Sequence, residues 1–88
     1  MPKLKKYRYT VYILRCKDNS LYTGITTDME RRFEEHQAGT ASKYTRVRIP
    51  VALVYTEKAV DRSSATKREM EIKKMSRTQK EILIGEKC

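Results

Sequence analysis

The sequence predicts an α+β fold, a small three-stranded antiparallel sheet flanked by helices, in the order β-β-α-β-α-α. Two segments, 7–16 (YRYTVYILRC) and 51–58 (VALVYTEK), are rich in the aromatic and β-branched residues that favour strands. The turn sequence KDNS at 17–20 follows the first segment and leads into a second arm, Leu21–Thr26. Capping residues precede three further segments, which indicates helices. A chain of 88 residues allows one domain with a thin core.

The first strand is expected at the centre of the sheet. Alternate residues of a strand point to opposite faces, and here both faces are apolar. Val11 and Ile13 lie on one face, and Tyr12 and Leu14 lie on the other. Such a strand needs cover on both sides, so we expect helices on both faces of the sheet.

The first helix is predicted between two boundary signals. It begins after a cap at residues 27–28 and ends near Gln37, where Gly39 follows as a stop. Met29 and Phe33 are four residues apart and therefore form one buried edge of this helix.

Two more helices are predicted after the third strand. Either Asp61 or Ser63 caps a helix from about 63 to 75, and both residue types accept bonds from free backbone N–H groups. Ser76 caps a short terminal helix that carries the apolar run ILI at 82–84.

The charge balance favours a polyanionic partner. The chain has 20 Lys plus Arg against 11 Asp plus Glu, a net charge of +9. Nucleic acid is the expected partner, because no segment approaches the roughly 20 apolar residues of a membrane span. The basic N-terminus MPKLKKYRY is not followed by the apolar core of a signal peptide, so we expect a cytoplasmic protein.

A structural zinc site is excluded by the ligand count. The sequence has two cysteines, Cys16 and Cys88, without CxxC spacing, and His36 is the single histidine. Zinc needs about four such ligands at close spacing. The cysteines are expected to be free thiols.

Glu69 is the polar residue that fits its helix least well. At about 100° per residue it lies within about 60° of Ala65 and Ile72, on the apolar stripe. A buried carboxylate without a partner is unstable, so Glu69 is expected either to pair with a cation or to bind a metal ion. The pattern alone leaves both interpretations open.

Polar groups also gather where the first hairpin leads into the first helix. Arg32 and His36 are one turn apart and border the buried edge of the helix. The alternative interpretation is a solvated arginine and a histidine at the rim of the core. Tyr12 and Tyr22 lie on the two arms of the hairpin and could be a simple cross-strand pair. Gly24 lies inside a strand, which indicates a bulge or a close approach to the backbone, and it is expected to leave room there for a phosphate of the nucleic acid.

Residues 40–50 (TASKYTRVRIP) are predicted as a basic loop that contacts nucleic acid. Lys43, Arg46 and Arg48 can bind phosphates, and Tyr44 can stack on a base. A solvated loop is the alternative.

Taken in order, these residues resemble the GIY-YIG nuclease superfamily. Thr10-Val11-Tyr12 matches its first tripeptide and Tyr22-Thr23-Gly24 its second, although Thr10 replaces a glycine. Arg32 falls at the catalytic arginine, ten residues after Tyr22, with His36 one turn further on. Glu69 matches the metal-binding glutamate. The chain is most similar to the small stand-alone bacterial branch (YhbQ-like), so residues 1–88 are predicted as a single GIY-YIG nuclease-like domain.

The resemblance implies a metal-dependent endonuclease that cleaves DNA, structure-specific and acting in repair or recombination. It implies that Tyr12 activates water with help from Tyr22, that Arg32 holds the phosphate, and that His36 accepts the proton or orients Tyr12. One inward carboxylate, Glu69, suits one ion, Mg²⁺ or Mn²⁺. The late asparagine of many members has no counterpart near Lys80.

The sequence leaves two alternatives to this function open. The chain could be a nucleic-acid-binding module that does not cleave DNA or RNA, or a subunit that recruits a protein partner through residues 82–84. Glu69 favours the nuclease, because a module that only binds has no need of a carboxylate on an apolar stripe.

Overall fold

The computed structural model describes residues 7–86, which form one three-stranded antiparallel sheet and four helices. The elements are β1 (Tyr9–Arg15), β2 (Leu21–Thr26), α1 (Met29–Ala38), α2 (Lys43–Arg46), β3 (Ala52–Ala59), α3 (Arg62–Lys74) and α4 (Arg77–Glu86). The strand order β2-β1-β3 puts β1 in the middle, with antiparallel neighbours on both sides. The predicted α+β class is confirmed.

The sheet is covered on both faces, as the apolar pattern of β1 predicts. On one face, Val11 and Ile13 pack with Tyr55 of β3, with Ala65 and Ile72 of α3, and with Ile84 of α4. On the other face, Tyr12 and Leu14 pack with Cys16 and Val51, next to Met29 and Phe33 of α1. The core therefore has two thin layers separated by β1.

Side-chain caps define the helix starts. Asp28 accepts a hydrogen bond from the Arg31 backbone N–H at 3.1 Å, and Asp61 accepts one from Ser64 at 2.8 Å. Of the two caps considered for α3, Asp61 is the one used. Gly39 ends α1 in the left-handed region with φ of 81°, where glycine has no steric penalty.

The basic segment 40–50 is not a loop throughout, so the prediction was wrong over Lys43–Arg46. These residues form the single helical turn α2, and Ser42 caps it by accepting a bond from the Thr45 N–H at 3.1 Å. One turn has no apolar periodicity, which is why the sequence pattern did not indicate it.

The terminal helix α4 is tied to the sheet by packing and by charge. Ile84 is buried and Leu83 packs against the core, which leaves Ile82 as the exposed member of the 82–84 run. Arg15 of β1 makes two bonds to the Glu81 carboxylate, at 2.7 and 2.9 Å, which lowers the pKa of Glu81 to about 2. The apolar run therefore contributes mainly to the core.

The predictions about the two cysteines and about membrane spans concern residues that are only partly described. Cys16 is a buried free thiol, and burial raises its pKa, whereas Cys88 and residues 1–6 are not described. Within residues 7–86, no helix combines the length and the apolar character needed to cross a membrane.

Candidate active site

The site is built around Tyr12, which projects from the central strand β1. Its register partner on β2 is Gly24, and the side chain of Tyr12 is 1% exposed. A Cβ atom added to Gly24 would lie 2.5 Å from the Tyr12 hydroxyl oxygen and 2.6 Å from Cζ. The phenol of Tyr12 thus makes a close approach to the backbone at Gly24, and the approach of a phosphate there stays a prediction. Glycine is required there because the ring lies over the backbone of β2.

Replacing Gly24 with alanine is therefore expected to displace the Tyr12 ring and to destabilise the fold by about 1–3 kcal/mol. Gly85→Ala is the matched control, because its Cβ would meet open space within α4. The control should be neutral or stabilising by about 0.5–1 kcal/mol, since alanine favours helices. Thermal unfolding of both variants measures the difference, and equal stabilities would contradict the tight contact.

A chain of hydrogen bonds leads from Tyr12 into α1 and α2. The Tyr12 hydroxyl lies 2.8 Å from His36 Nε2, and His36 Nδ1 lies 2.8 Å from Thr45 Oγ1. Thr45 Oγ1 in turn lies 3.1 Å from the hydroxyl of Ser42. Both His36 and Thr45 are completely buried. The one-turn helix α2 is thus the element that holds the imidazole in position.

The charge states follow from burial. Burial, and then the charge of Arg32, lower the pKa of His36, so that the imidazole is neutral at pH 7. Burial also raises the pKa of Tyr12, so that the phenol keeps its proton. A neutral imidazole donates through one nitrogen and accepts through the other. The arrangement that satisfies every donor has Tyr12 donating to Nε2 and Nδ1–H donating to Thr45.

The pKa of His36 is expected to lie below its ordinary value of 6.5. The folded state resists protonation more than the unfolded state does, so this contribution to stability is complete above pH 6.5 and is lost as pH falls through the folded pKa. Tyr12, Tyr22, Thr45, Arg32 and Glu35 are the polar and charged groups around the ring. His36 is the single histidine, so an NMR titration reads it without ambiguity. A value above 6.5 would overturn the assignment of a neutral ring.

Arg32 lies beside the phenol at the solvent edge of the site. It donates to the Glu35 carboxylate at 3.0 Å and to the Ala41 carbonyl at 3.4 Å, and its side chain is 32% exposed. Burial opposes its charge, but hydrogen bonds with Tyr12 and Glu35 outweigh burial and raise the pKa of Arg32. A permanently charged guanidinium is therefore held next to the Tyr12 oxygen.

Glu69 reaches the same region from α3. Its side chain is 19% exposed, and within residues 7–86 it forms an ion pair with Lys73, at 3.3 Å on the same helix. The negative charge of Glu69 contributes to the raised pKa of Tyr12, which places the carboxylate within electrostatic range of the phenol. The cation expected as one alternative is present, but Lys73 is 53% exposed, so this cation is solvated while the carboxylate is mostly buried.

The donor set fits one hard cation that is completed by water and substrate. No group of three or more His, Cys, Asp or Glu side chains with metal-binding geometry occurs in the part of the chain that the structure describes. Magnesium commonly takes one or two carboxylates and fills its remaining positions with water and phosphate oxygens. Glu69 is the residue that would hold such an ion here.

An aromatic cluster connects the site to α2. The Tyr22 ring packs edge-on against His36 with a centroid separation of 5.2 Å, and it stacks on Tyr44 at 5.9 Å. Arg48 lies 3.9 Å from the Tyr44 ring centroid and pairs with Asp18 at 3.0 Å. Tyr44 and Arg48 are thus engaged with neighbours rather than free.

Four residues of segment 40–50 were predicted to contact nucleic acid, and the other two of them, Lys43 and Arg46, are exposed on α2.

Three residues of the site were not singled out from the sequence: Ser42, Thr45 and Lys73. The spacing of Ser42 and Thr45, which suits a helix cap, is the signal that could have indicated the first two.

Comparison with known proteins identifies the family. Residues 8–82 match the model of the GIY-YIG catalytic domain. The chain belongs to the GIY-YIG family. A UPF0213 protein of Staphylococcus haemolyticus is 52% identical over 80 residues, which cover 91% of this chain and 98% of the relative. One from Natronomonas pharaonis is 54% identical over 76 residues, covering 86% and 89%.

A solved structure agrees with this membership. The solution NMR structure of a UPF0213 protein from Bacillus halodurans is 47% identical, with a TM-score of 0.58, and the match covers 88% of this chain and 82% of that one. The predicted membership in the GIY-YIG superfamily and its YhbQ-like branch is confirmed.

The last residues of the two GIY-YIG tripeptides face each other on neighbouring strands, Tyr12 on β1 opposite Gly24 on β2. Thr10, which replaces the glycine of the first tripeptide, is buried in β1, and its hydroxyl accepts a bond from Lys58 Nζ at 3.4 Å. Its φ is negative, so this position places no demand for glycine on the backbone. Many family members carry an asparagine late in the domain, and this chain has no counterpart of it near Lys80. Lys80 itself lines a cleft beside Tyr22.

Proposed function

We propose that this protein is a metal-dependent endonuclease that hydrolyses phosphodiester bonds in DNA. One observation carries the proposal: the Tyr12 phenol lies 2.8 Å from a neutral imidazole acceptor, His36 Nε2, while a guanidinium and a carboxylate approach it from α1 and α3. Membership in the GIY-YIG family supports nuclease chemistry for such a site.

The chain's own residues divide the proton and charge handling among them. A phenol with a raised pKa cannot lose its proton at pH 7 without an acceptor, and His36 Nε2 provides one. Tyr12 accepts a proton from water as it passes its own to His36, and Thr45 stabilises the resulting imidazolium by accepting from Nδ1–H. Arg32 stabilises negative charge on the Tyr12 oxygen and on the non-bridging oxygens of the phosphate. Tyr22, half-buried between His36 and the solvent, assists at the mouth of the site.

Glu69 is proposed to hold one Mg²⁺ or Mn²⁺ ion. When bound, such an ion supplies charge neutralisation on the phosphate and on the leaving oxygen. Lys73 would then be released from Glu69, which costs little because Lys73 is 53% exposed and water can solvate its ammonium group.

The net charge of +9 predicts DNA binding that weakens steeply with salt. With about four phosphate contacts, the slope of log K against log salt should be about −3.6. Fluorescence anisotropy with a labelled duplex in metal-free buffer measures the slope. A flat response would contradict binding through phosphates.

A nuclease assay tests the proposed function directly. The purified protein is incubated with single strands, duplex, nicked, flap and junction DNA and with matching RNA, with and without Mg²⁺ or Mn²⁺. Metal-dependent cleavage of DNA supports the proposal, and preference for a flap or junction supports a structure-specific role in repair or recombination. Binding without cleavage on every substrate, with both ions, would overturn it in favour of a binding module or a partner-dependent subunit.

A further inference from the structure

We propose that a single substrate strand lies along the groove between β2 and α3. Phosphates on either side of the cleaved phosphate are held in two basic clefts, one at each end of the groove. The inference rests on the proposed function, because it takes the substrate to be a phosphodiester chain. It goes beyond that function by giving the path of the strand and the residues that hold it.

The first cleft lies at the C-terminal end of β2 and is named the arginine cleft. It has a volume of about 280 Å³, and its polar lining is formed by Thr26, Thr27, Arg31, Arg32 and Arg62. Three guanidinium groups line it, and the Glu35 carboxylate that pairs with Arg31 and Arg32, at 2.7 and 3.0 Å, is not part of the lining. Because Arg32 belongs both to this lining and to the candidate active site, the cleft adjoins that site.

The second cleft lies at the opposite end of β2 and is named the lysine cleft. It also measures about 280 Å³, and it is lined by Leu21, Tyr22, Thr23, Tyr44, Lys73 and Lys80. Two ammonium groups and two tyrosine rings therefore face one concavity, and the Glu69 carboxylate that pairs with Lys73 is not part of its lining. Ammonium groups bind phosphate, and exposed tyrosines stack on bases.

A larger concavity, of about 450 Å³, is a poorer candidate. It is lined by Lys17, Asp18, Val47 and Arg48. The Asp18 carboxylate, which pairs with Arg48 at 3.0 Å, is itself part of this lining, and none of the active-site residues lines it.

The dimensions of β2 and α3 place the active site between the two clefts. Arg62 and Lys73 are eleven residues apart on α3, about 16 Å at 1.5 Å per residue. Tyr22 and Thr27 are separated by a similar distance, about 16 Å at 3.3 Å per residue. Because Arg62 shares a cleft with Thr27 and Lys73 shares one with Tyr22, α3 runs antiparallel to β2.

Glu69 then falls near the level of Gly24, over which the Tyr12 phenol lies. At about 3.4 Å per stacked nucleotide, the groove spans roughly five nucleotides, with the cleaved phosphate near the middle.

The residues of α3 that face the groove share one stripe of the helix. At about 100° per residue, Arg62, Glu69 and Lys73 fall within about 40° of one another. Lys67 and Lys74 are exposed residues of the same helix and lie more than about 100° from that stripe. They carry the same charge on a different face, which makes them matched controls.

The test measures binding of a fluorescent single-stranded DNA by the full chain in metal-free buffer, so that it does not depend on cleavage. Arg62→Ala and Lys80→Ala are each expected to weaken binding about five- to tenfold and to reduce the magnitude of the salt slope by about 1. Lys67→Ala and Lys74→Ala should change affinity less than about twofold. All four side chains are on helix surfaces, and thermal unfolding verifies that each variant is folded.

A scan with single methylphosphonate substitutions assigns the two ends. Neutralising one phosphate removes a contact, so the position sensitive in the wild type should become insensitive in Arg62→Ala on one side of the strand and in Lys80→Ala on the other. Equal losses for groove and control variants would overturn the path, as would loss of sensitivity at the same phosphate in both groove variants. Either result leaves the nuclease assay unaffected, so the two proposals fail separately.

Discussion

Replacing Glu69 with glutamine is expected to lower the rate of DNA cleavage by about 10²-fold or more while the protein remains folded. Glutamine keeps the shape and the hydrogen-bonding reach of the side chain but removes the negative charge that a divalent cation requires. Metal titration of the variant should show sharply weaker binding. DNA affinity in metal-free buffer should hold or rise slightly, because a repulsive charge near the phosphates is gone.

The folded state should tolerate this change because of the position of Lys73. A buried ion pair that loses one member costs about 3–5 kcal/mol, whereas an exposed pair contributes about 0–1 kcal/mol. Lys73 is 53% exposed, so the smaller figure applies. Glu69→Gln should therefore shift the Tm little.

Glu71→Gln is the matched control on the same helix. Glu71 pairs with Arg68 at 3.1 Å, is 64% exposed and lies on the opposite side of α3 from Glu69. Its substitution removes the same charge and should leave cleavage and metal binding unchanged. A large loss of Tm with unchanged metal affinity in Glu69→Gln would make Glu69 structural and leave the binding-module interpretation.

The second large effect is expected from Tyr12→Phe. The substitution keeps the ring over Gly24 and removes the hydroxyl that bonds to His36 Nε2. Cleavage should fall by a factor on the order of 10² to 10⁴, the range that general acid–base groups contribute. The loss of one buried hydrogen bond should lower stability by about 1–2 kcal/mol.

Two further substitutions separate catalysis from stability. Tyr55→Phe removes the hydroxyl of another buried tyrosine, one that bonds to Glu57 on the opposite face of the sheet. It should destabilise the protein without slowing cleavage. Tyr22→Phe should reduce cleavage less than Tyr12→Phe does. The reverse order in single-turnover rates would transfer the role of base to Tyr22, which is the more exposed phenol.

Sequence patterns predicted the features that depend on local chemistry and on periodicity. The apolar character of β1 on both faces predicted its central position in the sheet, because such a strand needs to be covered on both sides. Asp28 was predicted as part of a helix cap because its short side chain reaches the free backbone N–H groups. Glu69 was noticed because a carboxylate is out of place on an apolar stripe.

The features that the sequence did not predict depend on contacts between distant segments. The ring of Tyr12 lies over Gly24 because of the register between β1 and β2, which residue patterns alone do not specify in such detail. The contact between Thr45 and His36 requires a helical turn too short to have a period. The exposure of Lys73 depends on how α3 packs, and that exposure determines the strength of its ion pair with Glu69.

The candidate site contains residues from elements on both faces of the sheet, which affects local unfolding of the protein. Tyr12 belongs to the layer shared with α1, whereas α3, which carries Glu69, packs on the other face of the sheet. A ligand that contacts both would bridge the two layers at the edge strand β2. Its binding energy would then oppose the separation of α3 from the sheet, because a state with α3 detached has no complete site to bind. Occupied molecules should accordingly resist local unfolding and protease attack along α3, so that substrate acts as a brace for a thin core.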